Sequence, residues 1–205
     1  MTGRQIRRVF VGLLIFVFVA TVAVYWMQRG SEPTAPTKRR APYGRPIRIE
    51  APVFKQADPK WAADALDGSR STLRHGGCAV CSAAMMLAHF GLDTDPGRLN
   101  RFLSENGGYA SGDLLVWDKL VEYSQGRIRE VYRGPARTEI LERNLAAGNP
   151  IMAKVLIRGK TQHWVLIVGT DGPEYLANDP IGTETSPVNL SRYGERIYAL
   201  RVFAK

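Results

Sequence analysis

The chain has 205 residues, an apolar fraction of 45% and a formal net charge of +9. This length and composition are sufficient for a packed core and exclude a disordered polymer. The charge is unevenly divided, because residues 1–50 carry nine basic and two acidic side chains, whereas residues 51–205 carry nineteen and seventeen. The nearly balanced larger part has no interleaved basic and aromatic stripe, which argues against a nucleic-acid-binding protein.

Residues 9–27, VFVGLLIFVFVATVAVYWM, form an uncharged run after the short basic tail at residues 1–8. Nineteen residues in a helix cross about 30 Å of hydrocarbon, and the aromatic residues that end this run favour a membrane interface. The sequence therefore predicts a single transmembrane signal anchor. The alternative is a cleavable signal peptide, whose apolar core is typically about 7–15 residues long and ends at a small-residue cleavage site.

The short N-terminal tail favours a cytoplasmic N-terminus, which would place the folded domain on the periplasmic or extracellular side of the membrane. Basic residues lie on both sides of the run, so the charge distribution gives little indication of the membrane orientation. Residues 28–50 are rich in proline, glycine and basic residues, and we predict an extended linker that can lie against anionic lipid head groups. The folded domain is expected at residues 51–205.

Four short helices are predicted in the first part of this domain. The segment CAVCSAAMMLAHFG ends at Gly91, a residue type that commonly ends helices. The segment TDPGRLNRFLSENGG starts with Asp95 as a cap and Pro96 in the first turn. The segments GDLLVWDKLVEYSQG and RTEILERNLAAGNP have apolar residues at roughly helical spacing, and Gly148 and Pro150 end the second of them.

After Pro150 the pattern changes to strands. IMAKVLI and HWVLIVGT are apolar and β-branched and are joined by the polar turn RGKTQ, and EYLAND and RIYALRVF follow. Helices followed by an antiparallel sheet indicate an α+β fold rather than the alternating strands and helices of a nucleotide-binding sheet. The segment GGYASGD also lacks the Lys-Ser/Thr ending of a phosphate-binding loop.

Cys78 follows Gly76 and Gly77 and begins a helix of mostly small residues. At a helix N-terminus, unpaired backbone N–H groups and the helix dipole favour a thiolate over a thiol. The glycines also remove side chains that would block a substrate. The position of Cys78 therefore predicts a nucleophile, which needs a base to take its proton and a third group to orient that base.

The chain has three histidines that could supply the base. His75 precedes the helix and would have to fold back on Cys78. His89 is near the helix C-terminus, about 16 Å from Cys78 at the rise of a straight helix. His163 remains, at the start of the apolar strand HWVLIVGT, where a titratable side chain can project into a cleft. We therefore predict His163 as the base.

The orienting group is expected on the next strand, where EYLANDP offers Asn178 and Asp179. We favour Asp179, because a carboxylate stabilises the charged imidazole. The oxyanion formed on an attacked carbonyl would bind the backbone N–H of Cys78 and a side-chain amide. Gln56 is the only glutamine between the linker and Cys78 and is the predicted amide donor.

The segments VFKQADPKWA, GGCAVCSAAMMLAHFG, TDPGRLNRFLSENGGYASGDLLVWDKL, HWVLIVG and YLANDP together resemble a family of papain-like cysteine peptidases. These are related to the domain that trims leader peptides in bacteriocin-exporting transporters, and the stand-alone relatives of that domain are the most similar. The resemblance covers most of residues 52–181. It implies N-terminal helices packed on a C-terminal antiparallel sheet, with Cys78 as nucleophile, His163 as base, Asp179 as orienting residue and Gln56 as oxyanion donor.

The chain departs from that family in two respects. Gln56 lies twenty-two residues before Cys78, whereas the best-known members have the glutamine about half a dozen residues before the cysteine. The single predicted span also cannot export a peptide, so cleavage after a double-glycine leader is not implied. The natural substrate and the oligomeric state are not predicted.

Cys78 and Cys81 also form a C-x-x-C pair, for which other interpretations exist. A thioredoxin-like redox pair is disfavoured because the pair does not lie in a strand-helix-strand unit. A zinc site with His75 lacks a second ligand pair of suitable spacing. Cys81 is expected to pack in the core. On the oxidising side of a membrane, the two cysteines could form a reversible disulfide that silences the enzyme.

The sequence as a whole predicts a membrane-anchored cysteine peptidase that hydrolyses peptide or protein substrates through an acyl-thioester, without a cofactor, metal or nucleic-acid partner. One alternative is an amidase or acyltransferase that uses the same three residues on a cell-wall or peptide substrate. The other is a catalytically silent module that binds a peptide in the cleft.

Overall fold

The computed structural model describes residues 34–67, 70–111 and 113–205. The predicted transmembrane anchor at residues 9–27 and the basic tail at residues 1–8 lie outside this part of the chain. Within the described ranges, no helix is both long enough and apolar enough to cross a membrane. The anchor and its orientation therefore stay predictions.

The described residues contain five α-helices and one 3-10 helix: α1 (Leu73–Gly76), α2 (Cys78–His89), α3 (Pro96–Glu105), α4 (Asp118–Tyr123), α5 (Thr138–Ala146) and η1 (Leu190–Tyr193). The start of α3 is the predicted one, because Asp95 Oδ1 accepts a hydrogen bond from the Arg98 N–H at 2.8 Å and Pro96 lies in the first turn. Gly91 (φ +85°) and Gly148 (φ +78°) follow the ends of α2 and α5, where left-handed backbone favours glycine.

Eleven strands lie in the described residues: β1 (Ala35–Pro36), β2 (Ile47–Arg48), β3 (Tyr109–Ala110), β4 (Leu114–Leu115), β5 (Arg129–Pro135), β6 (Ile151–Ile157), β7 (Thr161–Asp171), β8 (Glu174–Asn178), β9 (Val188–Asn189), β10 (Arg196–Ile197) and β11 (Ala199–Ala204). The main sheet has the order β5-β11-β6-β7-β8-β9, with β2 beside β7, and every pairing in it is antiparallel. The predicted mixture of helices with an antiparallel sheet is therefore confirmed.

The third predicted helix is wrong in its first half. Leu114 and Leu115 form β4, which pairs with β3, and the helix begins only at Asp118. Ser111 adopts left-handed backbone (φ +50°) between the two strands and so closes a hairpin. Apolar spacing alone could not distinguish these alternatives in so short a segment. The strand β5 also precedes the last α-helix, so helices and strands do not separate completely in chain order.

The described part of the predicted linker at residues 28–50 contains two short strands. The strand β1 pairs with β10, and β2 pairs with β7 in the main sheet. A segment with few apolar side chains can still be held by its backbone hydrogen bonds. Arg39 adds a side-chain anchor, because its Nε and Nη2 donate to the two carboxylate oxygens of Glu142, each at 2.8 Å.

The helix α2 is buried over most of its length and packs against β7. Its buried residues are Val80, Cys81, Ser82, Ala83, Ala84, Met85, Met86 and Leu87. Small and flexible apolar side chains of this kind suit a helix that contacts protein on most sides. Ser82 Oγ donates a hydrogen bond to Trp164 O at 3.1 Å, which joins the first half of α2 to the first half of β7.

Candidate active site

Cys78 is the first residue of α2 and is partly exposed, whereas Cys81 in the next turn is fully buried. Both are free thiols, and burial raises the pKa of Cys81. The preceding glycine is required by a close backbone approach, since a Cβ on Gly77 would lie 2.5 Å from Leu73 O. The thiol that is accessible is therefore Cys78, at the point where α1 passes into α2.

The first turn of α2 also provides a hydrogen-bond donor. The Cys81 N–H donates to Gly77 O at 2.8 Å and so begins the helical ladder. The Cys78 N–H lies before it, and no backbone carbonyl in the described residues accepts from it. An unused N–H beside a thiol can bind the oxygen of a carbonyl that the thiol attacks.

His163 lies near the start of β7, with only 2% of its surface exposed. Its Nε2 donates a hydrogen bond to Asp179 Oδ1 at 2.8 Å. A carboxylate oxygen only accepts, so this contact assigns a proton to Nε2 and makes Nδ1 the nitrogen that exchanges a proton with another group. Cys78 also raises the pKa of His163 through hydrogen bonding and charge, and the Tyr193 ring lies beside the imidazole.

The electrostatics of His163 favour the imidazolium form. Burial alone would lower its pKa, but hydrogen bonds with Asp179 and Cys78, together with the charges of both groups, raise the pKa to about 9. At neutral pH the ring therefore carries two protons while Asp179 is ionised. This is the charge state that supports a thiolate-imidazolium pair.

Asp179 lies directly after β8, with 3% of its surface exposed. Besides His163, its Oδ1 accepts from the Ile181 N–H at 3.0 Å, and its Oδ2 accepts from the Tyr193 hydroxyl. Burial would raise the pKa of Asp179, but the hydrogen bonds from His163 and Tyr193 outweigh it and the pKa is lowered. The carboxylate is therefore held ionised and oriented by three donors.

Tyr193 is a residue of this site that the sequence did not predict. It is the last residue of η1, and its ring centroid lies 5.4 Å from that of His163 at an interplanar angle of 55°. The segment LSRYGER has neither a motif nor a clear periodicity, and Tyr193 follows Asp179 by fourteen residues. We find no sequence signal that could have identified it.

Gln56 is brought close to the other predicted residues, but its amide is already engaged. The Nε2 group donates to Leu73 O at 3.2 Å and to Arg74 O at 3.1 Å, which uses both of its N–H bonds. Its Oε1 is buried and has no hydrogen-bond partner among the described residues. The role of oxyanion donor stays a prediction, and it requires that the amide leave these two carbonyls.

The backbone at Gln56 links the two halves of the site. The Gln56 N–H donates to Pro180 O at 2.9 Å, and Lys55 Nζ donates to Asp179 O at 2.6 Å. The Gln56 side chain binds α1. This segment therefore connects the loop that carries Asp179 with the helix that precedes Cys78.

The two remaining histidines have other partners. His75 Nδ1 lies 3.0 Å from Thr72 Oγ1, and His89 Nδ1 lies 2.7 Å from Glu50 O. In the part of the chain that the structure describes, no group of three or more metal-ligating side chains is found. Next to the site, the rings of Trp164 and Trp117 are 4.8 Å apart at their centroids.

Comparisons with known proteins agree with this architecture. The model of the Peptidase_C39 like family matches residues 48–200. A solved structure, described as that of "an putative C39-like peptidase from Bacillus anthracis", superposes with a TM-score of 0.50. It is 15% identical, and the match covers 79% of this chain and 99% of that chain. At this identity the structural likeness shows the fold alone.

No curated protein matches the chain. The family model, however, matches well over half of the chain, from β2 to the beginning of β11. The matched range contains Cys78, His163 and Asp179. The chain therefore belongs to the Peptidase_C39 like family, and its folded part is a papain-like cysteine peptidase domain.

Proposed function

We propose that the domain hydrolyses peptide bonds, with Cys78 as nucleophile, His163 as base and acid, and Asp179 as the residue that orients the imidazole. One observation carries the proposal: the buried imidazole of His163 donates a hydrogen bond from Nε2 to Asp179 Oδ1 at 2.8 Å, and Cys78 helps to raise its pKa. Cys78 and His163 are eighty-five residues apart in sequence. A structural role alone would not require a thiol, an imidazole and a carboxylate in this order.

The reaction begins from the thiolate-imidazolium pair. The Cys78 sulfur attacks the carbonyl carbon of the scissile amide, and the carbonyl oxygen becomes an oxyanion beside the Cys78 N–H. His163 then gives the Nδ1 proton to the amide nitrogen, the carbon-nitrogen bond breaks, and the amine product leaves an acyl-thioester on Cys78. Neutral His163 accepts a proton from water as the water attacks the thioester, which releases the carboxylic acid and regenerates the ion pair.

Asp179 contributes through His163 rather than by contact with the substrate. Its Oδ1 accepts the hydrogen bond of the Nε2–H in every step without taking the proton, which keeps Nδ1 directed toward Cys78 and stabilises the imidazolium. Both side chains are almost completely buried, so this charged hydrogen bond is poorly screened by water. The oxyanion is assigned to the Cys78 N–H, and Gln56 would add a second donor only if its amide turned away from α1.

We further propose that the chain acts as a membrane-anchored enzyme on a peptide or protein substrate. The uncharged run at residues 9–27 supports the anchor, and the short N-terminal tail supports a domain on the periplasmic or extracellular side. The same three residues would also suit an amidase, in which water hydrolyses an acyl-thioester formed from another amide, or an acyltransferase, in which an amine takes the acyl group from Cys78. Product analysis with peptide substrates distinguishes hydrolysis from transfer.

The proposal is tested with variants of the full-length chain. Cys78→Ala and His163→Ala are expected to lower labelling by a peptidyl electrophile, and peptide hydrolysis, by at least about a hundredfold. Cys81→Ala is the matched control in the same helix, because it replaces a fully buried thiol by another small apolar group. It should retain at least about a tenth of the activity. Equal losses at both cysteines would contradict the proposal and favour a redox or metal site.

A further inference from the structure

The 3-10 helix η1 packs against β8 and β6, close to the catalytic imidazole and carboxylate. Leu190, its first residue, is completely buried. Gly194 ends it with φ +96°, and Gly194 O accepts a hydrogen bond from Thr37 Oγ1 at 2.6 Å. The segment that contains Thr37 therefore contacts the end of η1, and strands β6 and β8 of the main sheet also contact η1. This fixes where Tyr193 can lie.

Tyr193 contacts both residues on the acid side of the site. Its hydroxyl donates to Asp179 Oδ2, while Oδ1 accepts from His163 Nε2 and the Ile181 N–H. Each oxygen thus has its own donor, and rotation of the carboxylate about its carbon-carbon bond would break all three hydrogen bonds. The Tyr193 ring is partly buried and lies beside the His163 ring.

The other charged groups around this contact are few in the described residues. Lys55 Nζ donates to the Asp179 carbonyl rather than to its carboxylate. Arg192 lies over the Tyr193 ring, with its Cζ 5.9 Å from the ring centroid, and its Nη1 binds Glu184 Oε1 at 2.7 Å. Tyr193 is therefore the donor that closes the side of the carboxylate opposite to the imidazole.

We propose that Tyr193 is a positioning residue of the active site. Its hydroxyl holds Asp179 in the orientation that accepts the hydrogen bond from His163 Nε2. This inference rests on the proposed function, because it acts through the same His163–Asp179 contact. The Tyr193 hydroxyl donates a hydrogen bond to Oδ2 and keeps its proton throughout the reaction. Burial raises the pKa of Tyr193, so its hydroxyl stays protonated wherever the enzyme is active.

The test measures the rate at which iodoacetamide alkylates Cys78, with the modified residue verified by mass spectrometry. Tyr193→Phe retains the ring and removes only the hydroxyl, so the variant is expected to fold. We expect alkylation at pH 6 to fall about tenfold, because Asp179 loses the hydrogen bond that holds Oδ2 and with it the alignment of Oδ1 with His163 Nε2. The difference from wild type should disappear at high pH, where the thiolate no longer depends on the imidazolium.

The matched control is Tyr132→Phe, which removes a hydroxyl that donates to Pro135 O at 2.7 Å in β5. This variant should alkylate at the wild-type rate. In the Asp179→Asn background, Tyr193→Phe should have no further effect, because the carboxylate through which it acts is absent.

Two results would overturn the inference: a Tyr193→Phe rate within twofold of wild type, or a loss that simply adds to that of Asp179→Asn. Both results are read from the alkylation rate of Cys78, whereas the proposed function is tested separately by the peptidase activity of Cys78→Ala and His163→Ala. If those two variants retain activity, the proposed function itself fails.

Discussion

Asp179→Asn removes the charge that faces His163 with little change in side-chain volume. The asparagine amide can still occupy the same space between His163 and Tyr193, so the fold should be retained. It can no longer stabilise an imidazolium by its charge. The account therefore predicts that the variant loses reactivity at Cys78, although residue 179 does not contact the thiol in the proposed reaction.

The magnitude follows from the buried hydrogen bond between Nε2 and Oδ1, which is 2.8 Å long. Hydrogen bonds to charged groups contribute about 1.5–3 kcal/mol, which corresponds to about a 10- to 150-fold change in an equilibrium constant. At pH 6 the reactivity of Cys78 is proposed to depend on the His163 imidazolium, which this hydrogen bond stabilises. Alkylation by iodoacetamide at that pH should therefore slow by about the same factor.

The assay compares alkylation rates between pH 5 and pH 11 for the full-length chain, with the labelled residue verified by mass spectrometry. At high pH the rates of variant and wild type should converge, because the thiolate then no longer depends on the imidazolium. Asp171→Asn is the matched control: the same substitution at the end of β7, where the exposed carboxylate forms an ion pair with Arg48. This control should react as the wild type does.

A folded Asp179→Asn variant that alkylates at pH 6 within twofold of the wild-type rate would contradict this prediction. Circular dichroism and the thermal midpoint would verify that the variant is folded. Such a result would show that Asp179 does not stabilise the imidazolium, whatever the distance between the two side chains.

Three further predictions concern other parts of the molecule. Because the pKa of His163 is raised to about 9, peptide hydrolysis should fall with a midpoint near pH 9 as the imidazolium loses its proton. Alkylation of Cys78 should not fall there, and a hydrolysis rate that still rises at pH 10 would contradict the prediction. Gln56→Ala should slow both reactions if the amide mainly holds α1, but only hydrolysis if it binds the oxyanion, since alkylation forms none. Glu142→Gln should lower the free energy of unfolding by about 1 kcal/mol at pH 7, measured by urea denaturation, by weakening the pair with Arg39. The hydrogen bond with Arg39 lowers the pKa of Glu142 in the folded state. The stabilisation is therefore present above the unfolded-state pKa of about 4.3 and disappears as the pH falls through the lower folded-state pKa. A loss of equal size at pH 3 would argue against the ion pair.

The parts of the fold that sequence predicted well depend on local chemistry. Asp95 caps α3 with its own side chain, and Gly91 ends α2 with backbone that other residues adopt less readily. The apolar runs of β6 and β7 have few alternatives in a domain of this size. Cys78, His163 and Asp179 could be proposed as site residues for a similar reason, because few residues in the chain have the chemistry required.

The parts that sequence did not predict depend on contacts between distant segments. The described part of residues 28–50 has the composition of a linker, yet its backbone pairs with β7 and β10. Tyr193 belongs to the site because η1 packs on β8, and nothing near it in sequence indicates this. Gln56 was identified as a polar residue of the site, but the acceptors of its amide, Leu73 O and Arg74 O, follow only from the packing of α1.

The central claim is that Cys78 forms an acyl-thioester with a peptide substrate. The most direct measurement incubates the full-length chain with a peptide library, quenches in acid, and analyses the protein and the peptides by mass spectrometry. If Cys78 is the nucleophile, an acyl adduct on Cys78 and new peptide termini are expected, and both should be absent in Cys78→Ala and His163→Ala. New termini that persist in Cys78→Ala, or an adduct on another residue, would contradict this claim.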